Sequence, residues 1–242
     1  MLILSIDTTG PLCSCALYDE NEVRLVVNKT DYSHLEEIAP MISALMEEAG
    51  KAPSELDAMA VSRGPGSFTG VRIGMATAKA VAQIWKKPIV CVPTLDAFAY
   101  GADAKDGEIV CPLFDARRDQ VYAAAFLKNG CEVRTLISEA AMPLEAFTEK
   151  LSAALAAEGL DYARLVFRGD GAEKFEARLL GSFPKAKLAE EGARYQTAEQ
   201  TARLGALMLR RGEVTDCYGA EPEYLREAEA EKKLREKRSN GR

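Results

Sequence analysis

Histidine is almost missing from this chain of 242 residues, which contains only His34. One histidine cannot build a metal site that needs two imidazole ligands, and no cysteine or serine stands near it in a catalytic-triad order. The six cysteines form no CxxC pair, and five of them lie in apolar, strand-like segments. We therefore expect reduced core thiols, no metal site and no catalytic role for His34.

Positive charge and long apolar runs are also scarce. The net charge is −6, from 31 Lys and Arg against 37 Asp and Glu, so an isolated chain would be repelled by nucleic-acid phosphates. No apolar run reaches the roughly 20 residues that span a bilayer. The segment 1–7 lacks a basic leader and is typical of a strand. We expect a cytoplasmic protein that does not meet a membrane and touches RNA only through a partner.

The hydrophobic pattern predicts two similar series of elements. In the first half, three strands, a helix, a strand, a helix and a strand are predicted at 2–6, 12–18, 23–27, 33–49, 57–62, 70–85 and 89–92. In the second half, three strands, a helix, a strand and two helices are predicted at 108–114, 120–127, 131–137, 144–157, 164–168, 172–180 and 196–211. Ser33 and Glu36 suit a capping box, and Pro40 should kink the helix that they begin.

This repetition favours an α/β class with a duplicated ribonuclease-H-like fold. We predict a first lobe at 1–104, a second lobe at 105–225, and a charged helix or tail at 226–242. The joint between the lobes is predicted at Gly101–Gly107.

A glycine-rich segment, Arg63–Gly74, carries the strongest local signal. Its glycines allow close backbone approach, and the start of the following helix could hold an anion. It matches neither a Walker A loop nor GxGxxG. The alternative is a strand-to-helix turn that needs glycine only for its geometry. The candidate anion or nucleotide ligands are Asp7, Arg63, Ser67, Thr69 and Arg72.

Asp7 and Asp115 follow equivalent strands, where nucleases and ATPases of this architecture place metal-linked carboxylates. The loop after Asp7 contains Gly10 alone, and the loop after Asp115 contains two arginines and no glycine. Because this is a poor cradle for phosphates, we prefer capping and turn roles for both carboxylates.

The two helices of the first half are candidates for a partner surface. The second helix is rich in small residues, which permit close helix approach, and the first has a partly apolar second face with methionines. Packing inside the domain is the alternative, and both can hold at once. The candidate partner-binding residues are His34, Leu35, Ile38, Met41, Ile42, Leu45, Gly70, Gly74, Met75 and Ala78.

Several motifs together resemble the TsaB (YeaZ) family. They are Ile6–Thr9, Arg63–Gly74, Phe114–Asp119 with Val121 and Tyr122, and Pro222–Arg226. The resemblance extends from residue 3 to about 226, and the Arg63–Gly74 segment is its most specific part.

The resemblance implies an actin-like (ASKHA) fold with a reduced second lobe, and a role in making threonylcarbamoyladenosine next to the tRNA anticodon. It also implies pairing with a catalytic TsaD-type subunit through the two first-lobe helices, a homodimer through the same surface when alone, and a TsaE-type ATPase as a third subunit. TsaD-type enzymes carry an HxxxH metal motif, which a chain with one histidine cannot have. We therefore expect a non-catalytic subunit without a cofactor, although ATP or ADP could bind weakly at a subunit junction.

Two other classes stay open on the sequence. An ATP-dependent phosphotransferase or ATPase of the actin-like superfamily would bind ATP tightly with a metal. A nuclease would use Asp7 and Asp115 to hold its metal, and its activity would be lost in Asp7→Asn.

Overall fold

Two five-stranded sheets organise the computed structural model, which describes residues 1–20, 22–28, 34–101, 103–130 and 132–226. The predicted cap Ser33, the side chain of His34 and the predicted tail beyond Arg226 lie outside the described residues.

The first lobe is built on a sheet with β1 at its centre. Its elements are β1 (Leu2–Asp7), β2 (Cys13–Asp19), β3 (Glu22–Asn28), α1 (His34–Glu48), β4 (Ala58–Gly64), α2 (Phe68–Trp85), β5 (Ile89–Pro93) and α3 (Thr94–Tyr100). The sheet order is β3-β2-β1-β4-β5, with β1 antiparallel to β2 and parallel to β4. Every residue of β1 is buried because helices cover both faces of the sheet. Helix α1 runs through Pro40 without interruption.

The second lobe repeats this arrangement. Its elements are β6 (Ile109–Asp115), β7 (Gln120–Asn129), β8 (Glu132–Pro143), α4 (Leu144–Glu158), β9 (Leu165–Arg168), α5 (Asp170–Lys174), α6 (Glu176–Ser182), β10 (Lys187–Leu188) and α7 (Ala198–Arg210). The order β10-β9-β6-β7-β8 matches the first sheet strand for strand, with β6 antiparallel to β7 and parallel to β9. The predicted α/β class and duplicated actin-like fold are therefore confirmed.

Helices α3 and α7 join the two lobes. The unpredicted α3 places Leu95, Phe98 and Ala99 in a buried cluster with residues of β6 and β7. Helix α7 follows the second lobe in sequence but packs on the first sheet, on the face opposite α1 and α2. The predicted division at 104/105 stays a prediction, but the structure corrects the assignment of α7 to the second lobe. The small residues of α7, such as Gly205 against Ala60 and Val92, allow it to lie close to the first sheet.

No helix of the described residues is long and apolar enough to cross a membrane.

Candidate functional site

Asp7 ends β1 with a fully buried side chain and is the centre of a polar cluster. The backbone N–H and the hydroxyl of Thr9 each donate to Oδ1 at 3.0 Å. The hydroxyl of Ser62 donates to Oδ2, and Oγ1 of Thr201 lies 3.4 Å from the same oxygen. Burial raises the pKa of the Asp7 carboxyl above its usual range, while these hydrogen bonds oppose the rise.

Helix α7 completes this cluster from the far end of the chain. Thr201 lies on α7 and shares a hydrogen bond of 2.7 Å with the hydroxyl of Ser62, and Nε2 of Gln196 donates to Thr201 at 3.1 Å. The Asp7 carboxyl is thus enclosed by groups of its own chain. Among the described residues, no group of three or more His, Cys, Asp or Glu side chains could hold a metal ion.

The glycine-rich segment packs tightly against the loop that follows Asp7. The backbone N–H of Ser67 donates to the Thr9 carbonyl at 2.7 Å, and Thr8 Oγ1 donates to the Gly70 carbonyl at 2.7 Å. A Cβ atom at Gly70 would collide with the carbonyl oxygen of Thr8. The close approach that the glycines permit is therefore used within the chain, as in the strand-to-helix turn of the alternative interpretation.

The other predicted anion ligands do not meet at one point. Arg63 forms an ion pair with Glu223, with 2.8 Å between Nε and Oε2. Nε of Arg72 donates to the Tyr224 hydroxyl at 2.9 Å, and its guanidinium lies 3.9 Å from the centroid of the Phe68 ring.

The two hydroxyl residues of the predicted set lie at the start of α2. Ser67 is the N-cap and accepts from the Gly70 N–H at 3.3 Å, while Thr69 is exposed. Anion binding by Asp7, Arg63, Ser67, Thr69 and Arg72 stays a prediction.

The equivalent turn of the second lobe is built differently. Asp115 accepts from Nζ of Lys174 and from the backbone N–H of Arg117, both at 2.9 Å. Arg117, Arg118 and Asp119 all have φ between 52° and 65°, a left-handed conformation that costs non-glycine residues energy. The two arginine side chains are exposed where a phosphate loop would have glycines.

Most of the candidate partner-binding side chains face the core of their own lobe. Leu35 is exposed, with 68% of its surface accessible. The buried members of the set are Ile38, Met41, Ile42, Leu45, Gly70, Gly74, Met75 and Ala78. The apolar stripe at helical spacing is the stripe that packs on the sheet, so the buried members of the set are not on the surface of the isolated chain. Partner binding by the two helices is a separate matter and stays a prediction.

The exposed face of the same helices carries small and apolar residues. On α1 these are Leu35, Ala39, Pro40, Ser43 and Ala44, and on α2 they are Phe68, Ala76, Ala80 and Ile84. Ile84 has 74% of its surface accessible, slightly more than Leu35.

Sequence reasoning missed two parts of this region. The first is the set of hydroxyls around Asp7, contributed by Ser62 and Thr201. The second is the use of Glu223 and Tyr224 as partners of the two arginines, although their segment was recognised as a motif. Neither could be found from local spacing, because the partners are more than 50 residues apart in sequence.

Known proteins resemble the chain along most of its length. The family model described as "TsaD: tRNA N6-adenosine threonylcarbamoyltransferase" matches residues 27–234. Over 240 residues, the chain is 31% identical to the tRNA threonylcarbamoyladenosine biosynthesis protein TsaB of Bacillus subtilis (strain 168), which covers 96% of this chain and 97% of that protein.

Two further comparisons agree with these. Over 130 residues, the chain is 37% identical to the tRNA threonylcarbamoyladenosine biosynthesis protein TsaB of Escherichia coli (strain K12), which covers 53% of this chain and 56% of that protein. The structure of YeaZ from Pseudomonas aeruginosa superposes with a TM-score of 0.76 at 29% identity, over 92% of this chain and 99% of that one.

Proposed function

Because the chain belongs to the TsaB (YeaZ) family of tRNA threonylcarbamoyladenosine biosynthesis proteins, we propose that it is a non-catalytic partner subunit. In this role it docks on a TsaD-type subunit and stabilises the conformation that transfers the threonylcarbamoyl group to tRNA. A TsaE-type ATPase joins the pair, and tRNA is reached only through the complex. The subunit works in the cytoplasm and forms a homodimer when alone.

The observation that carries the non-catalytic assignment is the occupation of the first-lobe loop by the chain itself. In an actin-like enzyme, the loop after the first strand must leave room for phosphates and a metal. Here Thr9, Ser62 and Thr201 surround the Asp7 carboxyl, and the turn at Ser67–Gly70 packs on the same loop. A nucleotide would have to displace this packing, so we assign no cofactor to the isolated chain. We propose that any weak binding of ATP or ADP takes place at a subunit junction.

The exposed face of α1 and α2 is the docking surface in this proposal. Small residues such as Ala39, Ala76 and Ala80 permit close approach of another helix, and Leu35 and Ile84 offer exposed apolar side chains. Such a face suits the helices of a related actin-like lobe, whether from a TsaD-type subunit or from a second copy.

The test combines the purified chain with TsaD-type and TsaE-type subunits of the same organism, tRNA, ATP and an activated threonylcarbamoyl donor. We expect threonylcarbamoyl transfer to tRNA only when all are present, and no transfer or ATP hydrolysis by this chain alone. Binding to the TsaD-type subunit, measured by titration calorimetry, should weaken at least tenfold in Leu35→Glu, because a charge would be buried at the interface.

A matched control is Leu25→Glu. Leu25 is also exposed, but it pairs opposite Ala16 on the other face of the first sheet, toward α7. Equal binding by the two variants would contradict the docking surface. Tight metal-dependent ATP binding by the isolated chain would instead revive the phosphotransferase alternative.

A further inference from the structure

The last described segment of the chain leaves the first lobe and returns to the second. Thr215 forms a bridge to Ile89 of β5, and Ala220 is fully buried in the first-lobe core. Residues 221–226, which we call the strap, follow this anchor without helix or strand, and none of them is buried. A segment with so little buried surface can open locally without unfolding the lobes.

The strap is attached to the first lobe at two points. The backbone N–H of Glu223 donates to the Arg63 carbonyl at 2.7 Å, and its carboxylate pairs with the Arg63 guanidinium at 2.8 Å. The hydroxyl of Tyr224 accepts from Arg72, and its ring lies 5.0 Å from that of Phe68. Gly64 allows this approach, because a Cβ there would collide with the Glu223 carbonyl.

The end of the strap contacts the second lobe. Nη1 of Arg226 donates to the carbonyl of Ala116, in the turn after β6, at 2.5 Å. Residues 223–226 therefore connect the end of β4 and the start of α2 with the second-lobe turn.

The charges beside the strap do not balance. The carboxyl groups of Glu139 on β8 and Asp96 on α3 are close enough to influence each other electrostatically, and both feel Arg63 and Glu223. Among the described residues, Glu223 alone is within ion-pair distance of the Arg63 guanidinium. Oε2 of Glu139 is buried without a hydrogen-bond partner among the described residues. Around this cluster, Arg226 faces Tyr122 of β7, and Arg63 and Lys79 face Cys91 of β5.

We propose that the strap is a releasable closure between the lobes, seated by the Glu223–Arg63 ion pair and loosened when Asp96, Glu139 and Glu223 all carry a charge. Release frees the guanidinium groups of Arg63 and Arg72 together with the Ala116 carbonyl. Release therefore leaves both cations of the glycine-rich segment without their strap partners, Glu223 and Tyr224.

The titration of Glu139 gives the expected direction with pH. Burial, with the charges of Asp96 and Glu223 adding to it, raises the pKa of Glu139 to about 7, and Arg63 opposes the rise. Release takes the Glu223 charge away from Glu139, so the Glu139 carboxyl binds a proton more tightly while the strap is seated than after release. Seating is strongest in mild acid, weakens as the pH rises through about 7, and changes little above that.

Hydrogen exchange measured by mass spectrometry on the full chain tests the proposal. The reporter is the peptide that contains the Glu223 amide, with rates corrected for intrinsic exchange. In the wild type, we expect the corrected exchange rate to increase by about tenfold between pH 5.5 and 8. This increase is smaller than the full rise in the pKa of Glu139 would give, because solvent screens the charges of the cluster. Glu139→Gln should keep the slow rate throughout, and Glu223→Gln should exchange faster at every pH.

The controls separate strap opening from general instability. Glu221→Gln removes the charge of an exposed carboxylate in the strap, and Glu132→Gln removes that of an exposed carboxylate on β8. Both variants should show the same pH profile as the wild type. Exchange in the β1 peptide should be the same in all variants. The proposal is overturned if wild type and Glu139→Gln show the same pH profile, or if Glu223→Gln leaves the strap as protected as before.

Discussion

Asp7 keeps a carboxyl group in the core among hydroxyl groups. A buried charge without a cation is costly, and the hydrogen bonds from Thr9 and Ser62 recover only part of that cost. Because burial raises its pKa, the Asp7 carboxyl takes up a proton more readily in the folded chain than in the unfolded chain. Its contribution to the free energy of unfolding falls as the pH rises from its ordinary pKa toward the raised one.

Replacing Asp7 with asparagine should therefore cost little. The amide resembles the protonated carboxyl, and the hydroxyls of Ser62 and Thr201 can accept from it as well as donate. At pH 7, we expect the free energy of unfolding to stay the same or to rise by about 1 kcal/mol, which is about 2–4 °C in Tm. The wild type should also lose stability relative to Asp7→Asn as the pH is raised from about 4.

Asp7→Ala is the matched comparison, because it leaves the Thr9 and Ser62 donors without an acceptor in the core. It should destabilise the chain by about 1–3 kcal/mol. Thermal unfolding of both variants from pH 4 to 8 checks this. A loss in Asp7→Asn as large as that in Asp7→Ala would show that the ionised carboxylate itself is required.

At the scale of the element, α2 presents two faces with different tasks. The face with Gly74 lies on the sheet, and a Cβ at that position would come within 2.5 Å of Thr8 Oγ1 and 3.7 Å of Ile6 and Val61. The face with Ala76 and Ala80 is exposed. Small residues therefore serve inward packing in one case and leave an accessible surface in the other.

Valine substitutions distinguish the two faces of α2. Gly74→Val should lower the free energy of unfolding by about 1–3 kcal/mol because the added atoms overpack the core. Ala76→Val should stay within about 0.5–1 kcal/mol of the wild type, yet weaken binding to a TsaD-type subunit if the exposed face is the docking surface. Chemical denaturation and titration calorimetry on both proteins measure the two effects. A stable Gly74→Val variant would contradict the inward orientation.

The elements themselves could largely be predicted from periodicity, whereas their long-range placement could not. Strands β1, β2, β6 and β7 end within one or two residues of their predicted ends, because alternation and turn residues are local signals. Strand β8 continues to Pro143, six residues past its predicted end. Helix α3 was missed, since seven largely apolar residues between Pro93 and Gly101 show no polar face. The cluster around Asp7 depends on Thr201, which is brought there only by the packing of α7 on the first sheet.

On the scale of the whole molecule, the lobes share buried surface. Phe98 of α3 is fully buried against the second sheet, with its ring centroid 6.0 Å from that of Phe114. Helix α7 returns to the first sheet and the strap bridges the two lobes on the side of α2. Lobes joined through a hydrophobic cluster should unfold together rather than as independent domains.

Coupled unfolding can be followed because the single tryptophan, Trp85, lies in the first lobe. In the wild type, its fluorescence and the far-UV circular dichroism of the whole chain should give the same denaturation midpoint. Phe98→Ala should cost about 3–5 kcal/mol and separate the two midpoints, because it removes the side chain that joins the lobes. Phe147→Ala deletes an equally buried phenyl ring inside the second-lobe core alone, so it should lower both midpoints together. Two results would show that the lobes are stable independently and that α3 contributes little to their coupling. One is a difference between the two midpoints in the wild type. The other is a fluorescence midpoint that does not move in Phe147→Ala.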